Sequence, residues 1–288
     1  MRPKFLPFKN ESILSLTMAF TKITEQSSLY RDLEHLPVRT LLENINAEDH
    51  KVADAVEKNI PEIEQVVNAV AERMEQGGRL FYVGAGTSGR LGVLDASELP
   101  PTYGVSPDLV IGIIAGGEKA LRNAVEGAED DDMDGWFELE KYDANEKDSV
   151  IGIAASGTTP FVVGALRECK KRGIFTACIT SNTGAPISKF SDVAIETIVG
   201  PEFVTGSSRM KSGTAQKLVL NMISTTLMIR LGRVRDNKMV NMQLSNEKLI
   251  DRGTRILANE FSISYDESRA LLLKYGSVAN VEKIMKKR

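Results

Sequence analysis

The sequence predicts an α/β protein in which a parallel sheet is sandwiched between helices, and three observations carry that prediction. Short apolar runs alternate with helix-period segments between residues 79 and 199, the pattern of strands joined by crossover helices. The runs "RLFYV", "LVIGIIA", "SVIGIAA", "FTACIT" and "DVAIETIV" are nearly continuous in apolar residues, so both faces of the sheet should be covered. Hydroxyl-rich loops follow the first and third runs, at the edge where open α/β sheets bind ligands.

Taken in order, residues 36–77 are predicted helical, because apolar residues recur at three- and four-residue spacings until Gly77 and Gly78 stop the last helix. The strand "RLFYV" leads into a Gly/Ser/Thr loop and a helix expected to end at Pro100 and Pro101. "LVIGIIA" is the second strand and "EKALRNAVEGAE" the helix after it. The acidic stretch "DDDMDGWFELEKYDANEKD" is expected to be polar connection, with Asp130, Asp131 and Asp132 in a solvated turn. "SVIGIAA", the loop "SGTTP" and the helix "FVVGALRECKKRG" come next, then the strands "FTACIT" and "DVAIETIV". From residue 208 the chain should turn helical again. The expected division is a disordered extension over 1–20, an α/β domain with N-terminal helices over 21–254, and a small C-terminal helical appendage over 255–288.

Composition removes several function classes. A chain of 288 residues can bury a full core. A net charge of -3 offers no basic face, which argues against nucleic acid as the main partner. Cys169 and Cys178 cannot make a disulfide framework and suit a reducing cytoplasm. No apolar run approaches the ~20 residues of a membrane span. Ser and Thr interrupt the apolar patch of the opening "MRPKFLPFKNESILSLTM", so it does not read as a signal peptide. His35 and His50 lack a Cys or His partner at metal spacing, and neither a metal nor a cofactor is expected.

Gly84, Gly86 and Gly89 stand as G-x-G-x-x-G after the first strand. A dinucleotide site would add an acidic residue ~20 positions on, at the end of the second strand. Asp108 precedes that strand and Glu118 follows the glycines after it, so the confirming residue is missing. The loop carries Thr87 and Ser88 instead. After the third strand come Ser156, Gly157, Thr158 and Thr159, with Pro160 placed to open a helix. Hydroxyls and free N–H groups at a helix start suit one compact phosphate monoester. Either loop alone could simply cap a helix; two at the same sheet edge favour a ligand. A third hydroxyl-rich segment, "GPEFVTGSSRMKSGTAQK", adds Ser207, Ser208 and Lys211 to the candidate phosphate ligands, with Arg209 and Lys217 nearby.

The blocks "YVGAGTSGRLGVLDASELPPTYG", "IAGGEKALRNAVEGAED", "GIAASGTTPFVVGAL" and "TGSSRMKSGTAQKLVLNMIST" together resemble the N-acetylmuramic acid 6-phosphate etherases, over roughly residues 22 to 265. The resemblance implies a sugar isomerase (SIS) domain. It implies cleavage of the D-lactyl ether to N-acetylglucosamine 6-phosphate and D-lactate, in cytoplasmic recycling of cell-wall sugars. The extension before Met18 lies outside the family pattern, and the C-terminus stops earlier than that pattern.

An ether at C3 of an aldose can leave once the ring opens, because the C2 proton is then α to an aldehyde. One group must take that proton and one must protonate the departing oxygen. By resemblance, Glu98 in "DASE" is the proton donor and Glu129 in "EGAE" the second acid/base; Asp95 and Glu126 receive no role. Both glutamates are expected near the ends of the helices after strands one and two. A straight helix would put Glu98 ~15 Å from Ser88. Either the helix breaks, at Gly92 for instance, or two subunits combine in a homodimer with composite sites. The alternatives are an aldose–ketose isomerase on the same fold and a non-catalytic sugar phosphate sensor.

Overall fold

The computed structural model describes residues 20–286; the expectation for residues 1–19 lies outside them. Two helices come first, α1 (Val38–Glu57) and α2 (Ile60–Glu75). The sheet is formed by β1 (Leu80–Gly84), β2 (Val110–Ile114), β3 (Ser149–Ile153), β4 (Phe175–Thr180) and β5 (Val193–Glu196). All five are parallel, in the order β2-β1-β3-β4-β5. The chain leaves β1 in one direction to make β2 and returns to the other side of β1 to make β3. The crevice above the carboxyl ends of β1 and β3 is therefore the switch point of the sheet, where ligands of such folds sit.

Alternation along the strands divides the core in two. Leu80 and Tyr82 face a layer that includes α2, the helix α3 (Gly86–Tyr103) and α7 (Lys211–Arg230). Phe81 and Val83 face a layer with Trp136, Phe161, Leu166 and Cys169. Both layers bury nearly all of their strand side chains, as the unbroken apolar runs require.

Three elements differ from expectation. The helix after β1 does not stop at Pro100 and Pro101 but runs to Tyr103. The φ that proline fixes is helical, and two prolines this close to the end forgo only two N–H donors. Gly104, in the left-handed region at φ 63°, ends the helix. The helix is also unbroken at Gly92, where a Cβ would stand 3.0 Å from Tyr82 Cβ and 3.2 Å from Ile153 Cδ1. That glycine lets α3 lie close on the sheet.

The helix after β2, α4 (Gly117–Arg122), ends well before Glu129. Asn123 is extended at φ -127°, Val125 packs over Gly116, and Gly127 turns the chain at φ 74°. Glu129 therefore lies in a turn and not near a helix end. In the acidic stretch the sequence hides a helix, α5 (Asp134–Glu140), whose Trp136 and Leu139 are buried. Asp131 caps it by accepting from the Met133 and Asp134 N–H groups. Asp132 pairs with Arg167 of α6 (Pro160–Lys171).

Beyond α7, a short hairpin of β6 (Val234–Arg235) and β7 (Lys238–Met239) leads to α8 (Glu247–Phe261), α9 (Tyr265–Tyr275) and α10 (Val278–Met285). These three helices share their own apolar cluster around Leu257, Leu272 and Val281. The boundary expected at 254/255 falls inside α8.

Candidate active site

The glycines after β1 serve contact and turning. A Cβ on Gly89 would lie 2.6 Å from Ile114 Cγ1, and one on Gly84 would lie 2.7 Å from the Gly89 nitrogen. Only bare backbone lets α3 begin directly on the strand end. Gly86 supplies the turn itself at φ 53°. Thr87 and Ser88 follow in the first turn of α3. Ser88 is buried and donates to Gln216 Oε1 of α7 at 2.9 Å, so its hydroxyl fixes α3 to α7. Thr87 is half-buried, and its methyl packs towards α7: Cγ2 is 3.5 Å from where a Cβ on Gly213 would be, and Ser208 O is 3.7 Å from the same point. The Ser207–Ser208 turn is thus brought beside Thr87.

The second loop leaves β3 on the neighbouring strand. Ser156 Oγ accepts from the Thr158 N–H at 3.3 Å and from the Thr158 hydroxyl at 3.1 Å. Gly157, at φ 68°, folds the loop against Thr180 and Ala185. Thr159 precedes Pro160, which opens α6 as its first residue. Ser156, Thr158 and Thr159 are partly exposed. Asn182, which sequence reasoning missed, holds this loop from behind. Its amide donates to the Ala155 and Ser156 carbonyls at 3.2 and 3.0 Å, and its Oδ1 accepts from the Ile23 and Thr24 N–H groups. Its position just after the β4 strand, in "TSNTG", was the available signal.

Glu129 joins these loops through its backbone. Its carbonyl accepts from the Phe161 N–H at the start of α6, at 3.1 Å. It lines a cleft of about 290 Å³ together with Gly86, Arg90, Asn123, Glu126 and Asp130. Glu98 is elsewhere. It is exposed near the far end of α3, in a second hollow of about 210 Å³ with Leu91, Leu94, Asp95, Lys217, Leu220 and Asn221. The two hollows have no lining residue in common. Within one chain, then, Glu98 and Glu129 are apart.

Asp95 fixes the α3 turn that precedes Glu98. Its Oδ1 accepts from Asn221 Nδ2 at 2.9 Å and from Ser224 Oγ at 3.1 Å, both on α7. Burial pushes the Asp95 carboxyl above its ordinary range, against the pull of those donors.

Lys211, expected among the phosphate ligands, does not reach the loops. Its Nζ lies 2.6 Å from Glu48 Oε2, with both side chains at most 3% exposed. The helix begins at Lys211 and not at residue 208, because Glu202 accepts from the Lys211 and Ser212 N–H groups at 2.9 Å each. Glu202 thus occupies the helix end and Glu48 takes the lysine. The positive start of α7 is satisfied internally.

A parallel sheet of this order, with hydroxyl-lined loops over its switch point, defines an open α/β class whose ligands sit in that crevice. Residues 62–170 match the glucokinase regulatory protein N-terminal SIS domain and residues 137–225 match the SIS domain. The fold is also that of a phosphoheptose isomerase from Neisseria gonorrhoeae, at TM-score 0.52 and 16% identity over 66% of this chain and 98% of that one. A protein of E. coli CFT073 matches at TM-score 0.50 and 19% identity, over 69% and 96% of the two chains.

Sequence relatives define the family within that class. The N-acetylmuramic acid 6-phosphate etherase of Porphyromonas gingivalis (strain ATCC 33277) is 64% identical over 269 residues, 93% of this chain and 98% of that protein. That of Bacteroides thetaiotaomicron is 64% identical over 261 residues, covering 91% and 94%. That of Caldanaerobacter subterraneus is 55% identical over 226 residues, covering 78% and 74%. The chain belongs to the N-acetylmuramic acid 6-phosphate etherase family.

Proposed function

We propose that this chain cleaves the D-lactyl ether of N-acetylmuramic acid 6-phosphate, giving N-acetylglucosamine 6-phosphate and D-lactate in the recycling of cell-wall amino sugars. The observation that carries the reading is the position of Glu129. Its backbone is hydrogen-bonded to the start of α6, and it lines a cleft that begins at Gly86. A carboxylate beside two hydroxyl-rich loops is what proton transfer on a sugar phosphate requires. Two buried free cysteines, Cys169 and Cys178, support a reducing compartment, and we infer the cytoplasm.

The phosphate is held by the hydroxyls of Thr87, Ser156 and Thr159 and by the N–H groups at the starts of α3 and α6, with Thr158 donating to Ser156 and so turning the Ser156 hydrogen outward. Ser88 and Gly157 shape the two loops, and the Ser207–Ser208 turn closes the side next to Thr87. In the open-chain aldehyde Glu129 takes the C2 proton. The electron pair forms the C2–C3 double bond, conjugated with the aldehyde, while the C3–oxygen bond breaks. Glu98 gives its proton to the departing lactate oxygen. Water then adds at C3 of the unsaturated aldehyde, its second proton passes to a carboxylate, and C2 is reprotonated.

The unbroken α3 supports a site made from two chains. Ten residues of straight helix separate Ser88 from Glu98, a distance of ~15 Å. Glu98 stands beside Leu94, an apolar side chain that is 54% exposed. We infer a homodimer in which Glu98 of one chain serves the loops and Glu129 of the other. The function itself is tested by incubating the protein with N-acetylmuramic acid 6-phosphate and following products by mass spectrometry. D-lactate release is expected; a ketose with no lactate would assign the chain to the isomerases, and binding without any product would make it a sensor.

A further inference from the structure

The proposed substrate carries two anionic ends: a phosphate at C6 and a carboxylate on the lactyl group at C3. The hydroxyl loops account for one of them. Arg90 is the one cation among the residues that line the cleft shared by Gly86 and Glu129; the charged residues there besides it are Glu126, Glu129 and Asp130. Its Nε donates to the Leu121 carbonyl at 3.1 Å. That bond anchors the guanidinium at one nitrogen and leaves the two terminal nitrogens for a ligand. Other arginines of the described residues, such as Arg79, Arg167 and Arg172, are paired with carboxylates; Arg90 has no such pair among them.

Position separates Arg90 from the phosphate loop of β3. Leu121 belongs to α4, which follows β2, on one side of β1; Ser156 to Thr159 follow β3 on the other side. Glu129 bridges the two regions, with its carbonyl on Phe161 and its place in the Arg90 cleft. A hexose phosphate with C6 over the β3 loop and C2 at Glu129 has room to direct its C3 substituent towards Arg90, which lines the same cleft as Glu129. A planar guanidinium fixed by its Nε is suited to hold a carboxylate through two parallel hydrogen bonds.

We propose that Arg90 binds the carboxylate of the substrate's lactyl group and so distinguishes the lactyl ether from the N-acetylglucosamine 6-phosphate that is formed. The proposal rests on the etherase reading above. The test uses Arg90→Gln and Arg90→Lys in the full chain, with two readouts: kcat/KM for lactate release and the inhibition constant of N-acetylglucosamine 6-phosphate, which has no carboxylate. Loss of a charge-assisted pair should lower kcat/KM at least tenfold in Arg90→Gln. Arg90→Lys should recover only part, because an ammonium cannot supply the planar fork. Product inhibition should stay within about twofold in both.

Equal weakening of substrate and product would overturn the proposal, since Arg90 would then hold the phosphate or the loop. Unchanged kcat/KM in both variants would also overturn it. Should Arg90→Gln fail to fold, wild type and Arg90→Lys are compared on the substrate carboxamide. Wild type should lose at least tenfold on that substitution and Arg90→Lys less; equal use of acid and amide by wild type would contradict the assignment. If wild type releases no lactate at all, the etherase reading has failed and not this inference alone.

Discussion

Lys211 Nζ and Glu48 Oε2 lie 2.6 Å apart in the interior, joining the first residue of α7 to the middle of α1. Lys51 and the Tyr30 hydroxyl also donate to Glu48 Oε1. Breaking a buried pair costs about 3–5 kcal/mol where the remaining charge has no other partner; here Lys51 and Tyr30 stay on Oε1, so the cost should lie towards the lower end. Lys211→Met should therefore lower the urea midpoint strongly while leaving KM for any protein that remains folded near wild type. A large rise in KM with unchanged stability would return Lys211 to the phosphate site.

The same pair sets an acid limit on stability. Burial raises the Glu48 carboxyl, but the hydrogen bonds from Lys211, Lys51 and Tyr30 outweigh it and bring it down to about 2, from 4.5. A depressed carboxyl contributes stability that is fully present above pH 4.5 and is lost as the pH falls through that value towards 2. Unfolding free energy measured between about pH 5 and pH 2 should fall less steeply in Glu48→Gln than in wild type. Parallel curves would remove Glu48 from the acid response.

Ser156 already accepts two hydrogen bonds from Thr158, so its own hydroxyl hydrogen is free for a phosphate oxygen. A hydrogen bond to a charged group contributes on the order of 1.5–3 kcal/mol. Ser156→Ala should raise KM tenfold or more and leave the circular dichroism spectrum unchanged. Unaltered KM and kcat would take Ser156 out of the site.

The two glutamates should fail differently. Glu98→Gln cannot protonate the ether oxygen, and Glu129→Gln cannot take the C2 proton; each should cost kcat about 10²-fold or more. In heavy water, exchange of the C2 hydrogen should vanish in Glu129→Gln, while some persists in Glu98→Gln. Mixing the two inactive variants under conditions of subunit exchange tests the composite site. A mixed dimer built that way contains one intact Glu98–Glu129 pair, so activity should reappear. Activity that stays at the level of the separate variants would mean that each chain supplies both carboxylates to one site.

Much of this was legible in the sequence. Unbroken apolar runs marked all five strands, and hydroxyls after β1 and β3 marked the crevice. The misreadings have two causes: turn and proline chemistry that a periodic pattern does not show, and contacts distant in sequence. Pro100 and Pro101 look like a stop, yet the helix continues to Tyr103. "EKALRNAVEGAE" has helical composition, but Val125 packing over Gly116 and the turn at Gly127 take Glu129 out of the helix. Lys211 beside serines looks like a phosphate ligand until Glu48, from the far end of the domain sequence, is placed against it. Arg90 and Asn182 carry no motif meaning alone; they gain it from Leu121 and Ser156, which the sheet order brings to them.

The proposed reaction breaks the ether between C3 and oxygen by elimination and then adds water to the sugar. Running the reaction in water enriched in heavy oxygen and weighing both products tests it most directly. Unlabelled D-lactate and N-acetylglucosamine 6-phosphate carrying one heavy oxygen at C3 are expected. Heavy oxygen in the hydroxyl of lactate, with none at C3 of the sugar, would contradict it.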